Sequence, residues 1–118
     1  MTNEIDIAWA AGFLEGEGSF SVISRHNKTN HQKFYYRVQA HQTTREPLDQ
    51  LVKIFGGKIY LRERQSKVFA DGYKRKDIFV WDVNGEAARK CMIAALPFLS
   101  KRRKDQIGIA FDLMAQGS

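Results

Sequence analysis

Cys91 is the single cysteine in 118 residues. No intramolecular disulfide can form, and a four-ligand zinc site built on cysteines is excluded. A reducing, intracellular compartment is the simple expectation, with a bacterial or phage cytoplasm and an organelle both open. No apolar run approaches the length needed to cross a bilayer, so no membrane partner is expected. The opening stretch "MTNEIDIAWAAG" is acidic rather than basic, which gives no expectation of a signal or transit peptide. Linkers and low-complexity segments are also lacking, so residues 1–118 read as one domain, a size that can bury a real core. The charge is unbalanced: 19 Lys and Arg against 13 Asp and Glu give a net charge of +6, which makes an anionic partner plausible.

The remaining pattern reads as alternating elements. Residues 3–15, "NEIDIAWAAGFLE", form a helix that Asn3 caps, with Glu4 and Asp6 in the favourable first turn and Gly16 and Gly18 permitting a sharp exit. "GSFSVISR" alternates as a strand should, and "FYYRVQAHQ" is a second strand across a polar hairpin loop. "TTREPLDQLVKIFGG" is a helix capped by Thr43 or Thr44, with Pro47 in its first turn and Gly56-Gly57 at its end. "KIYLRERQ" and "KRKDIFVWDV" are two more strands around an Asp71-Gly72 turn. A helix from Asn84 closes before Pro97, and a last helix with a basic start follows. Hairpins followed by helices favour an antiparallel sheet with helices on one face, an α+β architecture of order αββαββα plus a C-terminal helix.

Alternation divides the strands into two faces. Phe20, Val22, Tyr36, Val38, Ala40, Ile59 and Leu61 suit a core. Ser21, Ile23 and Arg25, then Tyr35, Arg37 and Gln39, then Arg62 and Arg64 fall on the opposite face, with Arg75 and Asp77 at the start of the fourth strand. A solvated sheet surface is one explanation. Guanidinium forks, amides and hydroxyls are also the groups that contact base edges and phosphates.

The stretch "WAAGFLEGEGSF", residues 9–20, poses a sharper question. Glu15 and Glu17 stand at the end of a helix, where the macrodipole is negative and carboxylates are unfavourable. A divalent cation would offset that repulsion. Ala8, Gly12 and Gly16 recur four residues apart, with Ala11 and Glu15 flanking them. Such a stripe lets a second helix backbone approach closely, whether within the domain or from another copy.

"AAGFLEGEG", residues 10–18, resembles the LAGLIDADG motif of homing endonucleases and intron maturases, with glutamates for aspartates and Ala10 for the usual leucine. The following Ser19-Phe20 and "LPFLSKRRKDQ" at 96–106 are also similar to that family, and the derived element order resembles its αββαββα unit, with a four-stranded antiparallel DNA-binding sheet. The resemblance implies that Glu17 binds the catalytic metal, Mg2+ or Mn2+, helped by the Gly16 carbonyl. It implies that Gln42 positions water and that Glu15 has a structural role at the helix ends. Counting from Pro97, Arg102 takes the place often held by a catalytic lysine, with Lys101 adjacent. The family's glutamine three residues later is Asp105 here, with Gln106 one further on, so Lys101, Arg102 and Lys104 share that assignment. One motif copy implies a homodimer joined through Ala8, Ala11, Gly12 and Glu15. The implied activity is cleavage of both strands of a long, roughly palindromic DNA target, leaving short 3′ extensions. An RNA-binding maturase and a DNA-binding regulator without cleavage are the alternatives.

Overall fold

The first helix begins where its capping signal predicts. In the computed structural model, which describes residues 3–26, 28–29, 31–62 and 77–117, the Asn3 side-chain oxygen accepts from the Asp6 backbone N–H at 2.8 Å and opens helix α1, Glu4–Glu17. The helix runs two residues beyond the expected end. Gly16 is therefore helical, and the exit falls at Gly18, whose φ of −87° is open to any residue. Glycine is needed there because a Cβ would lie 2.7 Å from the Leu14 carbonyl oxygen.

Strands β1, Gly18–His26, and β2, Gln32–Gln42, form the predicted antiparallel hairpin, in register from Gly18 opposite Ala40 to His26 opposite Gln32. Helix α2, Glu46–Phe55, departs from expectation at its start. Neither Thr43 nor Thr44 caps it: Arg45 holds the N-cap position in helical geometry without a side-chain cap, and its Nε instead donates to Asp49 Oδ1 at 3.1 Å. Gly56 and Gly57 do end it, both at positive φ (81° and 86°), a region glycine enters without a Cβ penalty. There the Trp81 indole N–H donates to the Gly56 carbonyl at 2.8 Å, fixing the turn to the sheet.

Strands β3, Lys58–Arg62, and β4, Ile78–Asn84, complete a four-stranded sheet of order β1-β2-β4-β3, every neighbouring pair antiparallel. Strand β4 starts later than the sequence suggested, and residues 63–65 of the expected third strand and the expected turn around Asp71-Gly72, with Arg64 and Arg75, lie outside the described residues. Helix α3, Gly85–Ala95, a 3-10 turn, Leu96–Phe98, and helix α4, Lys101–Gly117, follow.

The helices pack on the face carrying Phe20, Val38, Ala40, Trp81 and Val83, all buried. Leu14 from α1, Leu48 and Leu51 from α2, Met92 from α3 and Ile107 from α4 fill the same core, each burial worth about 1.5–3 kcal/mol. Phe111 meets Tyr36 edge-on with centroids 5.4 Å apart and seats α4 against the hairpin. Cys91 lies in this core, where burial pushes its thiol up to about 12 and disfavours the thiolate. Among the described residues, no helix is long and apolar enough to cross a membrane.

Candidate functional site

The two carboxylates at the end of α1 have different surroundings. Glu15 accepts from the Ser100 backbone N–H at 2.7 Å through one oxygen and from the Ser100 hydroxyl at 2.8 Å through the other. Ser100 stands immediately before α4, and its carbonyl accepts from Lys104 N–H at 2.9 Å. The negative end of α1, with its carboxylate, thus meets the positive end of α4. The hydrogen bonds from Ser100, with Arg103 and Arg102 nearby, hold the Glu15 carboxyl below the usual carboxylate range. This contact offsets the helix-end repulsion at Glu15 without a metal.

Arg103 completes the clasp. Its side chain is buried, its Nε donates to the Glu15 carbonyl at 2.9 Å, and its Nη1 donates to Gln106 at 2.9 Å. The guanidinium lies 6.0 Å from the Phe20 ring centre on β1. Burial, then Arg102, lower its pKa, and Glu15 opposes them. The sequence reading assigned the basic run to Lys101, Arg102 and Lys104 and passed over Arg103. Spacing could have found it: Arg103, Ile107 and Ala110 fall on one helical face, and all three are buried.

Glu17, by contrast, points outward. It shares a shallow depression of about 250 Å³ with His41, Gln42, Thr43 and Ile78. Among the described residues no cation pairs with its carboxylate. Glu17 and Gln42 are therefore brought together in one depression. His41 was placed only on the polar face of the sheet, and here it lines the same depression, its pKa lowered by burial and then by Arg62. Lys101 and Arg102 do not line it; both are exposed, and Lys101 pairs with Asp105 at 2.9 Å.

Among the described residues, no three His, Cys, Asp or Glu side chains cluster as a closed metal cage. One protomer offers the Glu17 carboxylate, the Gln42 amide and the Gly16 carbonyl in the last helical turn, where carbonyls lack a downstream helical partner. Such a hard-oxygen set suits Mg2+, which is commonly held by one or two carboxylates plus substrate phosphates rather than by an all-protein cage.

The expected interface residues separate in the same way. Gly12 is exposed and Ala8 half-buried, but Ala11 is fully buried against the chain's own core and the Glu15 carboxylate is engaged by Ser100. Ala11 therefore presents nothing to a second copy, a correction to the expected set. The outer face of α1 instead carries Ile5, 81% exposed, and Trp9, 41% exposed, stacked on Phe13.

On the far side of the sheet, register sets the polar face in rows. Ser19, Gln39, Asp82 and Lys58 form one row; Ser21, Arg37 and Asn84 the next; then Ile23 with Tyr35, and Arg25 with Lys33. Toward Glu17 come His41, Val80 and Tyr60, with Arg62 opposite Ile78 at the margin. Seven of the expected face residues, Ser21, Ile23, Arg25, Tyr35, Arg37, Gln39 and Arg62, share this surface. Asp77 precedes β4 and lies outside the ladder. Asp82 was not anticipated: it is buried and accepts from Arg37 Nε at 3.2 Å and Nη2 at 3.1 Å.

Comparison with curated proteins gives no match. Among solved structures, the fold is similar to that of the homing endonuclease I-CvuI in complex with the I-CreI target, with a TM-score of 0.67 and 21% identity over 96% of this chain and 69% of that one. It is similar also to an archaeal intron-encoded homing endonuclease, I-Vdi141I, complexed with DNA, with a TM-score of 0.64 and 19% identity over 95% and 70% of the two chains. A third is the group I intron-encoded homing endonuclease I-CeuI complexed with DNA, with a TM-score of 0.60 and 14% identity over 98% and 56%. At these identities the likeness is one of fold. Residues 10–79, which run from the motif in α1 to the second residue of β4, match the family model described as LAGLIDADG endonuclease. That match spans more than half of the sequence, and the chain belongs to the LAGLIDADG endonuclease family.

Proposed function

We propose that this protein is a site-specific, divalent-metal-dependent endonuclease of double-stranded DNA that acts as a homodimer on a long, roughly palindromic target and leaves short 3′ extensions. The observation that carries the reading is the division of labour at the end of α1. Glu15 is consumed by the clasp to α4, while Glu17 has no ion-pair partner among the described residues and lies beside Gln42 at the margin of an arginine-bearing sheet face. Family membership and the DNA complexes of the similar homing endonucleases support the same substrate.

In this reading the polar sheet face lies along the major groove, which admits a two-stranded or wider β surface. It orients the duplex so that the phosphodiester to be cut passes the Glu17 depression. Mg2+ or Mn2+, when bound, supplies a Lewis acid that lowers the pKa of water and stabilises charge on the phosphoryl oxygens. Glu17 and the Gly16 carbonyl hold it, and Gln42 orients water by its amide. Lys101 and Arg102, exposed at the start of α4, add positive potential over the DNA backbone. The dimer is supported by the outer face of α1, where Ile5 and Trp9 are exposed beside an open glycine stripe. Two-fold symmetry then pairs two half-sites and gives each strand its own Glu17.

Glu17→Gln tests the assignment. The change keeps the shape of the side chain and removes a ligand, so cleavage of a selected target in Mg2+ should fall below detection while binding persists. Cleavage at the unaltered rate would sink the role of Glu17. The same variant separates an RNA-binding maturase, whose splicing assistance should survive it.

A further inference from the structure

We infer that Asp82 is a specificity-determining residue, holding the Arg37 guanidinium by one edge so that the other edge reads a single guanine-bearing base pair in each half of the target. The inference rests on the proposed reading that this sheet face binds DNA. An acid is out of place on such a face. Asp82 is the only carboxylate among the described face positions of the four strands, in the middle row of the sheet, where a polyanion would approach. Its presence needs a benefit that outweighs the repulsion.

The geometry supplies one. Asp82 is 5% exposed and takes both Nε and Nη2 of Arg37, a fork-to-fork contact at 3.2 and 3.1 Å. Arginine carries five N–H donors in one plane. The Asp82 contact uses the side edge and leaves the terminal edge, Nη1 with the second Nη2 proton, for another acceptor pair. That edge matches guanine O6 and N7. The Arg37 side chain keeps 27% of its surface exposed, enough for its tip to be reached from the groove. Ser21 and Asn84 flank it in its row, one on each neighbouring strand.

Restraint before binding is what makes the arrangement selective. A free arginine loses rotamer entropy when it docks and adapts its donors to phosphate or base alike. A guanidinium fixed in one plane accepts only the acceptor pair that lies in that plane. Arg25 and Arg62 on the same face have no carboxylate partner among the described residues, and they keep the freedom that phosphate binding tolerates.

The test is a target-site selection on binding alone, with the full chain in EDTA and a randomised duplex library. Asp82→Asn removes a negative charge, so affinity for unrelated DNA should rise. Preference at one symmetric position per half-site should fall about tenfold or more. Arg37→Lys keeps the charge, lacks the fork and does not depend on Asp82→Asn folding. It should relax the same position. A purely structural ion pair predicts lower melting midpoints with the preference profile unchanged, and that result in Arg37→Lys overturns the inference. So does relaxation of different positions by the two variants. An unaltered chain that binds duplex DNA with no preference overturns both the inference and the proposed function; specific binding with unchanged variants overturns the inference alone.

Discussion

Gly12 has no reason to be glycine within its own protomer. Its backbone is helical, and a Cβ built on it would meet no heavy atom within 4 Å. Glycine in a helix interior costs roughly 0.5–1 kcal/mol relative to alanine. Gly12→Ala should therefore stabilise the isolated protomer by about 0.5–1 kcal/mol, raising its melting midpoint by roughly 2–5 °C in a domain of this size. The dimer should respond with the opposite sign. If two α1 helices meet along the open stripe, Gly12→Leu places an isobutyl group from each copy into a close backbone contact. Overpacking costs about 1–3 kcal/mol per inserted side chain, so two copies lose about 2–6 kcal/mol of association. The dissociation constant should rise by roughly thirty-fold to more than ten-thousand-fold. Sedimentation and thermal melting across a dilution series separate the two effects: the variants should be more stable than the unaltered chain when dilute and less stable when concentrated. A Gly12→Leu protein that dimerises as tightly as its parent refutes the reasoning. Lower stability of both variants at high dilution would show that Gly12 serves its own protomer after all.

Arg103→Met keeps a buried stem and loses two charge-assisted hydrogen bonds of 2.9 Å, so the chain should lose about 2–4 kcal/mol and roughly 6–15 °C in midpoint, with cleavage impaired more than DNA binding; an unchanged midpoint contradicts the clasp. The folded Glu15 carboxyl titrates below its free value of 4.5, so its stabilising contribution is complete above that pH and is lost as the pH falls through the lower folded value. The stability gap between Glu15→Gln and the unaltered chain, read by urea unfolding, should therefore be largest near about pH 7 and shrink in acid below about pH 4.5; a pH-independent gap refutes it. Arg62→Ala, at the exposed end of β3, should weaken binding to all duplexes alike and make its salt dependence shallower, because that arginine has no carboxylate restraint among the described residues; relaxed preference at one base position would refute this.

Much of the fold was legible because it rests on local periodicity. Phe20, Val38 and Ala40 alternate with polar neighbours, and the Asn3 cap lies three residues from the N–H it satisfies. Glu17 at the helix exit and Gln42 at the end of the second strand could be placed from the motif and the element order, and the two line one depression. What escaped depends on contacts distant in sequence. Glu15 and Ser100 are separated by 85 residues, and nothing in "EGEG" says which helix end will meet it. Arg103 hid in "SKRRK" because a run of like charges reads as solvated, although its spacing to Ile107 places it inward. Arg37 and Asp82, 45 residues apart, become neighbours only once the β2–β4 register is known. Thr43 and Thr44 looked like caps because the right residue type stood near the start of α2; the helix begins at Glu46 with Arg45 at its N-cap, beyond both.

The clasp between Glu15, Ser100 and Arg103 also sets an order of events during synthesis. The groups that anchor the end of the motif helix, Ser100 and Arg103, are synthesised 85 and 88 residues after Glu15. A nascent or truncated polypeptide that stops short of residue 103 carries Glu17 on a helix whose end is untethered. All four strands are synthesised before that tether is, because β4 ends at Asn84. Only a chain that reaches Arg103 can carry an anchored motif, even though every strand of the sheet precedes that residue.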